Sequence, residues 1–310
     1  MNLVLNTMEL NVPRRSSTSD DPLDILQFAI ASFKNGGATL ATLVDIRGGA
    51  ARALGSHLAI AADGSFFGYV SGGCVEAAVA SEALLAMEAG QDRTVFFGDG
   101  SPFFDVVLPC GGGITIAIHV LRDVDVEKLE AVVTAVRDRR TAGLSYSPTQ
   151  EAIDRIVPPS RCGWGNGSFE TVYRPRTRVV ISGQSSEAVA LERIAEAAGH
   201  DVVVLGASGR DLRPSDFDQH SAVVLLHHDL DAEESVLGMA LQSSAFYIGA
   251  LGSTHTHRSR VERLRHAGFV NAQIDRIKAP IGIFGPTKDS TSLALSILAD
   301  IAASRLAAYA

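Results

Sequence analysis

The chain has 310 residues, enough for about two domains that each bury a core of their own. Apolar residues make up 46% of the sequence and charged residues 20%, proportions typical of globular proteins. The formal net charge of −8 argues against a general binder of nucleic acid or of anionic membranes. No run approaches the roughly 18 consecutive apolar residues that a membrane-spanning helix needs, so we expect no membrane anchor.

Arg14-Arg15 are followed by a polar run of serine, threonine and aspartate at 16–21, and we interpret residues 1–21 as a disordered leader. No apolar segment follows it, so a secretory signal is not supported. The three cysteines, Cys74, Cys110 and Cys162, form no paired framework. Free thiols and the lack of an export signal together indicate the reducing cytoplasm.

The first half of the chain combines helical and extended patterns. Asp63-Gly64 predicts a tight hairpin turn between two short strands. Apolar residues at helical spacing predict a helix that begins at Cys74 and ends at Gly90. The predicted strands are 38–46, 57–61, 66–70, 94–97 and 114–121, and the predicted helices are 22–35, 74–89 and 126–137.

Residues 148–176 lack periodicity and are interrupted by prolines and glycines, which predicts a linker with a short strand at 169–173. Beyond it, strands and helices alternate, and this order is typical of a parallel sheet with crossover helices. We therefore predict an α/β protein with an N-terminal α/β domain at 22–147 and a Rossmann-like parallel-sheet domain at 177–310. In that second domain the predicted strands are 178–182, 202–205, 222–226 and 245–248, and the predicted helices are 187–198, 232–242, 258–267 and a terminal helix through 293–306.

Cys74 and Cys110 each stand in a run of glycines, which allow positive φ and let a ligand approach the main chain closely. A thiol at the start of a helix meets the positive end of the helix dipole, which favours the thiolate. If the two loops converge, they offer two soft sulfur ligands beside exposed amides, a pocket suited to a thiophilic metal centre that carries phosphate. The candidate ligand-binding residues of these loops are Gly72, Gly73, Cys74, Cys110, Gly111 and Gly112.

Three charged side chains are candidates for the same pocket. Glu76 either accepts hydrogen bonds from a polar ligand or favours the start of the helix, and Arg47 or Arg52 offers positive charge to a phosphate. The alternative for each cysteine is a small buried residue in a tight turn. A structural zinc site is disfavoured, because the chain has no Cys-x2-Cys spacing and no histidine near either loop.

These motifs carry a resemblance to a known family. GYVSGGCVE at 68–76, LPCGGG at 108–113 and AFYIGALGS at 245–253 together resemble the xanthine dehydrogenase accessory protein (XdhC/CoxI) family. The resemblance implies a cytoplasmic chaperone, rather than an enzyme, that binds and protects molybdenum cofactor, with Cys74 and Cys110 as candidate metal ligands. The cofactor is either molybdopterin or its cytosine dinucleotide form.

The same resemblance implies partners. A cysteine desulfurase would exchange a terminal oxygen of the cofactor for sulfur, and a xanthine dehydrogenase-type molybdenum hydroxylase would receive the product. It also implies a homodimer. No nucleic acid and no membrane are expected as partners.

The second domain carries an altered dinucleotide fingerprint. Only Gly183 of the usual three glycines remains, and Ser185 replaces the second, where a side chain crowds the pyrophosphate. The carboxylate that normally follows the second strand is also missing, so NAD is not expected as a cofactor. The alternatives are a scaffold that has lost its nucleotide site and a site that still holds a phosphate through serine hydroxyls and helix amides.

Two further residues are candidates in this domain. His228 follows a predicted strand, at the edge where open α/β sheets bind ligands, and the resemblance suggests either a polar contact or a loop-stabilising hydrogen bond. Lys288 aligns with a basic residue of the family and is a candidate phosphate contact. The basic stretch 255–265 is either solvated surface or a site for a phosphate or an acidic partner.

Three functions remain in competition at this point. The leading one is the molybdenum cofactor chaperone. The alternative is an NAD(P)-binding oxidoreductase that uses the second domain. The third is a sulfur carrier in which Cys74 or Cys110 holds a persulfide, which requires a nucleophilic thiolate.

Overall fold

The structure is a computed structural model that describes residues 11–98, 111–205 and 216–309. Its residues cluster into two compact units, and the division falls between Arg174 and Pro175. Cys110 lies outside the described residues. So do residues 206–208, the positions where a dinucleotide-binding fold would carry the carboxylate that this sequence lacks. The predicted α/β class with a Rossmann-like second part is confirmed.

Unit 1 is built on a six-stranded sheet, sheet A, whose neighbouring strands are antiparallel except for the first pair. In spatial order its strands are β1 (Arg14–Arg15), β4 (Ser65–Gly68), β3 (His57–Ala61), β2 (Ala38–Arg47), β6 (Gly113–Val120) and β5 (Arg93–Gly98). Strand β1 belongs to the segment predicted as a disordered leader. It is held by main-chain hydrogen bonds to the edge of the sheet, such as Arg14 N to Gly64 O at 2.9 Å, which side-chain composition does not reveal.

Three helices cover the two faces of sheet A: α1 (Pro22–Lys34), α2 (Glu76–Ala89) and α3 (Asp123–Arg137). Successive side chains of a strand point to opposite faces. In β2, Leu40 and Val44 therefore pack with α1 and α3, whereas Ala41 and Leu43 pack with α2. Strand β2 is central and buried on both sides, which explains its continuous apolar run.

A second sheet of unit 1, sheet B, occupies much of the segment predicted as a linker. Its antiparallel strands, in spatial order, are β8 (Ala152–Ile156), β7 (Ala142–Ser147), β10 (Ser168–Tyr173) and β9 (Gly163–Gly165). Strand β10 matches the predicted short strand, and its buried Phe169 and Tyr173 join the core of α1 and α3. Tyr173 OH also lies 2.7 Å from Nε2 of the buried His57, which ties sheet B to sheet A.

Unit 2 contains a five-stranded parallel sheet, sheet C, in the spatial order β12 (Asp201–Leu205), β11 (Arg178–Ser182), β13 (Ser221–Leu225), β14 (Tyr247–Ala250) and β15 (Ile277–Lys278). Its helices are α4 (Ser186–Ala197), α5 (Leu230–Gln242), α6 (Thr254–His266), α7 (Asn271–Ile274) and α8 (Ser290–Ala308). Helices α4 and α8 cover one face of the sheet, and α5 and α6 cover the other. Because the strand order reverses at β11, a crevice is expected at the carboxyl ends of β11 and β13.

Helix α8 is long and apolar enough to cross a membrane by length and composition, and it alone passes that test within the described ranges. Its Asp300 is 1% exposed, accepts a hydrogen bond from Tyr247 OH at 2.8 Å and forms an ion pair with Lys278. These contacts, together with the packing of Ile297 and Ile301 in the core, make α8 a covering helix of sheet C.

A buried charged network stabilises unit 1. Nδ1 of His119 lies 2.7 Å from Asp92 and its Nε2 lies 3.1 Å from Asp125, while Tyr146 OH donates to Asp92 at 2.9 Å. Burial lowers the pKa of His119, but its hydrogen bonds to Asp125 and Asp92 outweigh burial, so the net shift is upward. Burial raises the pKa of Asp92, but the hydrogen bond and the charge of His119 lower it by more than burial raises it. The net shift of the Asp92 pKa is therefore downward.

These opposite shifts predict a stability maximum for unit 1 at intermediate pH. The contribution of His119 is complete below its unfolded pKa of about 6.5 and is lost as pH rises through the higher pKa of the folded protein. Trp164, the only tryptophan, lies in unit 1 and reports its unfolding. Urea denaturation followed by its fluorescence should show stability falling above pH 6.5 in the wild type. His119→Gln should lack this decline, and equal slopes in the two proteins would contradict the assignment.

Candidate functional site

The segment around Cys74, here called the cysteine loop (residues 70–75), is organised by a buried carboxylate. Glu76 is 0% exposed and opens helix α2. Its Oε1 accepts hydrogen bonds from the amides of Val70 at 3.3 Å and Ser71 at 2.8 Å, and the Ser71 hydroxyl lies 2.9 Å from both carboxylate oxygens. The Glu76 carboxylate is thus fully engaged within its own loop, which favours its structural role over ligand contact.

Ser71 connects this carboxylate to the rest of the loop. Its Oγ accepts from the amides of Gly73 and Cys74 at 3.2 Å each and from that of Val75 at 3.4 Å. The amides that were expected to be exposed to an anion therefore point inward to a hydroxyl. Serine and aspartate side chains commonly organise turns in this way.

Cys74 itself is a free, exposed cysteine. The predicted helix start at Cys74 is wrong, because α2 begins at Glu76 with Val75 as its N-cap residue. Gly72 and Gly73 precede Cys74 and are also exposed, and Gly73 has φ of 107°, a value that side-chain-bearing residues rarely adopt. The loop therefore presents the thiol outward on a backbone that is fixed from within.

Gly72 and Gly112 each lie against the loop that follows β2. Strands β2 and β6 pair Arg47 with Gly113, so the loop that follows β2 lies beside Gly111 and Gly112. A Cβ atom at Gly112 would collide with the carbonyl oxygens of Arg47 and Gly49. On the other side, a Cβ atom at Gly72 would lie 3.3 Å from Cβ of Ala51. Residues 48–51 are thus packed between the cysteine loop and the start of β6.

Arg52 holds the arginine-containing loop against the cysteine loop. Its Nε donates to the Ser71 carbonyl at 3.4 Å, and its guanidinium lies 4.9 Å from the centre of the Tyr69 ring. Nη1 forms an ion pair with Asp20, and the Arg52 side chain is 30% exposed to solvent. Arg47 instead donates to Thr115 Oγ1 at 2.9 Å and to Asp45. Of the two candidate arginines, Arg52 is the one in direct contact with the loop of Cys74.

The described residues place one candidate sulfur ligand, the Cys74 thiol, in this region. Within residues 11–98, 111–205 and 216–309, no group of three or more His, Cys, Asp or Glu side chains is arranged to hold a metal ion. Cys110 is outside these ranges, so its role as a second sulfur ligand stays a prediction. Cys162 is half-buried among residues of the α1 and α3 core, and burial raises the pKa of its thiol.

In unit 2, the crevice at the switch between β11 and β13 is tight. Gly183 has φ of 144°, and a Cβ atom there would lie 2.8 Å from the Leu226 carbonyl oxygen, so glycine is required by close packing of the two strand ends. Ser185 caps α4 and accepts from the Ala188 amide at 3.4 Å. The Ser185 hydroxyl therefore caps the helix at the position where the dinucleotide fingerprint has its second glycine.

The histidine pair after β13 divides between two environments. His227 Nε2 lies 2.8 Å from Ser182 Oγ across the crevice, and burial lowers the pKa of His227. His228 is exposed at the same edge, and Lys288 is exposed just before Asp289, the N-cap of α8. The Ser182–His227 contact was not predicted. The available signal was that Ser182 ends β11 and His227 follows the end of the neighbouring β13 by two residues.

The cysteine loop predicts a contrast between two adjacent substitutions. Glu76→Ala leaves the Val70 and Ser71 amides and the Ser71 hydroxyl without their acceptor, so it should destabilise unit 1 by about 3 kcal/mol. Cys74→Ser, on the exposed side, should change stability by less than about 0.5 kcal/mol. Urea denaturation monitored by Trp164 fluorescence measures both. Similar values for the two variants would show that the carboxylate does not hold the loop.

Comparison with known proteins gives consistent matches along the chain. The sequence profile described as the XdhC and CoxI family matches residues 34–98, and the profile described as the XdhC Rossmann domain matches residues 179–301. The structure is similar to a crystal structure of a protein described as a xanthine dehydrogenase from Bacillus halodurans, with a TM-score of 0.69 and 18% identity, covering 94% of this chain and 96% of that one. At this identity the similarity supports the fold alone.

Two Escherichia coli (strain K12) proteins are also similar in sequence. An uncharacterized protein, YqeB, is 24% identical over 265 residues, which are 84% of this chain and 42% of YqeB. The molybdenum cofactor insertion chaperone PaoD is 44% identical over 299 residues, which are 95% of this chain and 92% of PaoD. With this identity over nearly the whole length, and with both profiles matched in order, the chain belongs to the XdhC and CoxI family.

Proposed function

We propose that the chain is a molybdenum cofactor chaperone that receives its cargo at the cysteine loop of unit 1 and delivers it to a molybdenum hydroxylase of the xanthine dehydrogenase type. The observation that carries this proposal is the exposed Cys74 thiol on a backbone fixed by the buried Ser71 and Glu76. The relative PaoD, which is named as a molybdenum cofactor insertion chaperone, supports the same cargo.

The chemistry of the loop fits such a cargo. A thiolate is a soft ligand that suits a thiophilic metal centre. Arg52 lies against the same loop and offers a guanidinium, the side chain best matched to a phosphate group. The loop amides point to Ser71, so we expect recognition through the thiol and arginine side chains rather than through a nest of amides.

A rigid loop suits transfer as well as binding. Because Glu76 and Ser71 hold the loop before cargo arrives, little ordering entropy has to be lost on binding. Because the Cys74 thiol is exposed on the surface, cargo bound to it stays accessible to a receiving enzyme. Delivery without a large conformational change follows from this arrangement.

The proposal also includes a sulfuration step, in which a terminal oxygen of the cofactor is exchanged for sulfur. A cysteine desulfurase is the expected sulfur donor, and an exposed Cys74 is available either as a ligand or as the carrier of a persulfide. The exposed free thiol also supports a reducing cytoplasmic location. The homodimer and the choice between the molybdopterin and cytosine dinucleotide forms stay predictions.

The alternative, an NAD(P)-dependent oxidoreductase, finds little support in unit 2. A dinucleotide fold normally leaves room for pyrophosphate at the turn after the first strand. Here Gly183 lies against the Leu226 carbonyl and Ser185 is occupied as a helix cap. We therefore place the cargo site in unit 1.

The proposal predicts that cargo binding depends on the two cysteines that stand in glycine runs, Cys74 and Cys110. In protein purified from a host that makes the cofactor, Cys74→Ser should lower the molybdenum and pterin content per chain at least about tenfold, because a sulfur ligand worth ~1.4 kcal/mol or more is lost. Elemental analysis and pterin fluorescence measure the two contents. We expect the same direction of change for Cys110→Ser.

Cys162→Ser is the matched control, since it removes a half-buried thiol of the same unit away from the loop. Its cargo content should equal that of the wild type. Full cargo content in folded Cys74→Ser protein would overturn the assignment of the cysteine loop.

A further inference from the structure

At the carboxyl edge of sheet C, unit 2 contains two buried polar atoms that make no hydrogen bond. Arg260 Nη1 and His257 Nδ1 are both enclosed by protein and make no hydrogen bond in the described parts of the chain. The Arg260 side chain is only 2% exposed. Buried donors without a partner are rare in folded proteins and indicate an unseen water, ion or ligand.

The rest of the Arg260 guanidinium is firmly placed. Nε and Nη2 form an ion pair with the buried Glu233 of α5, and Nη2 also donates to the Leu251 carbonyl at 2.8 Å. Both oxygens of Glu233 are thereby used by Arg260. Leu251 follows the last residue of β14, so the planar guanidinium lies beside the turn that leads into α6. Nη1, with two N–H groups, is the part left for another acceptor.

His257 lies one helical turn before Arg260 on the same side of α6. Burial lowers the pKa of His257, and the positive charge of Arg260 lowers it further, which favours a neutral ring. A neutral imidazole can carry its proton on Nδ1 and donate from there. Arg260 Nη1 and His257 Nδ1 are thus two unpartnered side-chain atoms on the same side of α6.

The main chain at this position adds to the same site. Ser253 caps α6 and accepts from the Thr256 amide at 3.2 Å, and the preceding Gly252 has φ of 125°. The first amides of a helix have no partner within the helix and carry the positive end of its dipole. Helix α6 is also strongly basic, with four arginines and one glutamate. Each of these features favours a negatively charged ligand.

We propose that Arg260 and His257, with the N-terminal turn of α6, bind a phosphate group at the carboxyl edge of sheet C. Side-chain N–H groups and the N-terminus of a helix both bind the oxygens of a phosphate group well. Strand β14 neighbours β13, so the site lies next to the crevice at Gly183 but does not use its crowded turn.

A small groove between α5 and α6 lies beside the Arg260 side chain. Its lining is apolar at Leu230, Leu237, Leu264, Ala267 and Phe269, and it also includes Glu234 and Arg263. His257 and the first turn of α6 are not part of this lining. The inference concerns unit 2 alone and does not rest on the proposed role of Cys74.

Histidine NMR on the full chain tests this site. With ¹⁵N-labelled histidine, titration with inorganic phosphate should shift the ring resonances of His257 in a saturable manner and leave those of the exposed His266, at the other end of α6, unchanged. A second titration with a nucleoside 5′-monophosphate distinguishes the two sources of the group. Tenfold tighter binding of the nucleotide assigns an ester, and equal affinities assign free phosphate. Absence of a saturable His257 shift with both probes would overturn the proposal and assign the two atoms to buried water.

Variants provide an independent measure by calorimetry. His257→Phe should weaken binding of the better probe at least tenfold, whereas Arg258→Gln removes an exposed charge one residue away and should change it less than twofold. Arg260→Met combined with Glu233→Leu removes the ion pair as a unit, which avoids leaving a buried charge alone. This double variant should also lose at least tenfold. Wild-type affinity in both His257→Phe and the double variant would contradict the proposal.

Discussion

The carboxylate of Glu76 is the constraint on which the candidate cargo site depends. A buried charge is tolerated only where hydrogen bonds replace its hydration, and here the amides of Val70 and Ser71 and the Ser71 hydroxyl do so. Since Ser71 in turn accepts from the amides up to Val75, the whole turn is held by the hydrogen bonds of one buried side chain. The amides of Gly73, Cys74 and Val75 are bonded to Ser71 Oγ, while Cys74 itself is exposed.

The strand register then determines what lies beside that thiol. Pairing of Arg47 with Gly113 brings the loop after β2 against Gly112, where a side chain would collide with two carbonyl oxygens. Arg52 links the same loop to the Ser71 carbonyl. Gly72 and Gly112 thus allow three chain segments to pack closely. Unit 2 has a polar edge of its own, at which Arg260 rather than a glycine-rich turn supplies the free donors.

Much of this fold could be predicted because local signals and tertiary structure agree. Asp63-Gly64 forms the expected turn between β3 and β4, and the alternation of strands and helices after residue 177 produces the parallel sheet C. Sheet B escaped prediction because its strands are short and interrupted by glycine and proline, so that only β10 alternates clearly. The leader strand β1 escaped because its pairing with β4 uses main-chain groups.

The site was predictable in composition but not in detail. The glycine runs indicated that Cys74 is presented, and it is exposed. The inward direction of the loop amides could not be inferred, because it depends on the burial of Glu76, and burial of a glutamate at a helix start is an exception to its usual exposure. The unpartnered atoms of Arg260 and His257 depend on the packing of α5 against α6, which no local pattern reveals.

Protection of Cys74 by its cargo tests the central claim most directly. Alkylation of the three thiols can be followed by mass spectrometry in cargo-loaded and cargo-free protein, with Cys162 as the internal reference. If the cysteine loop holds the molybdenum cofactor, loading should slow the alkylation of Cys74 at least about tenfold and leave that of Cys162 unchanged. Equal alkylation rates of Cys74 in the two forms would contradict the account.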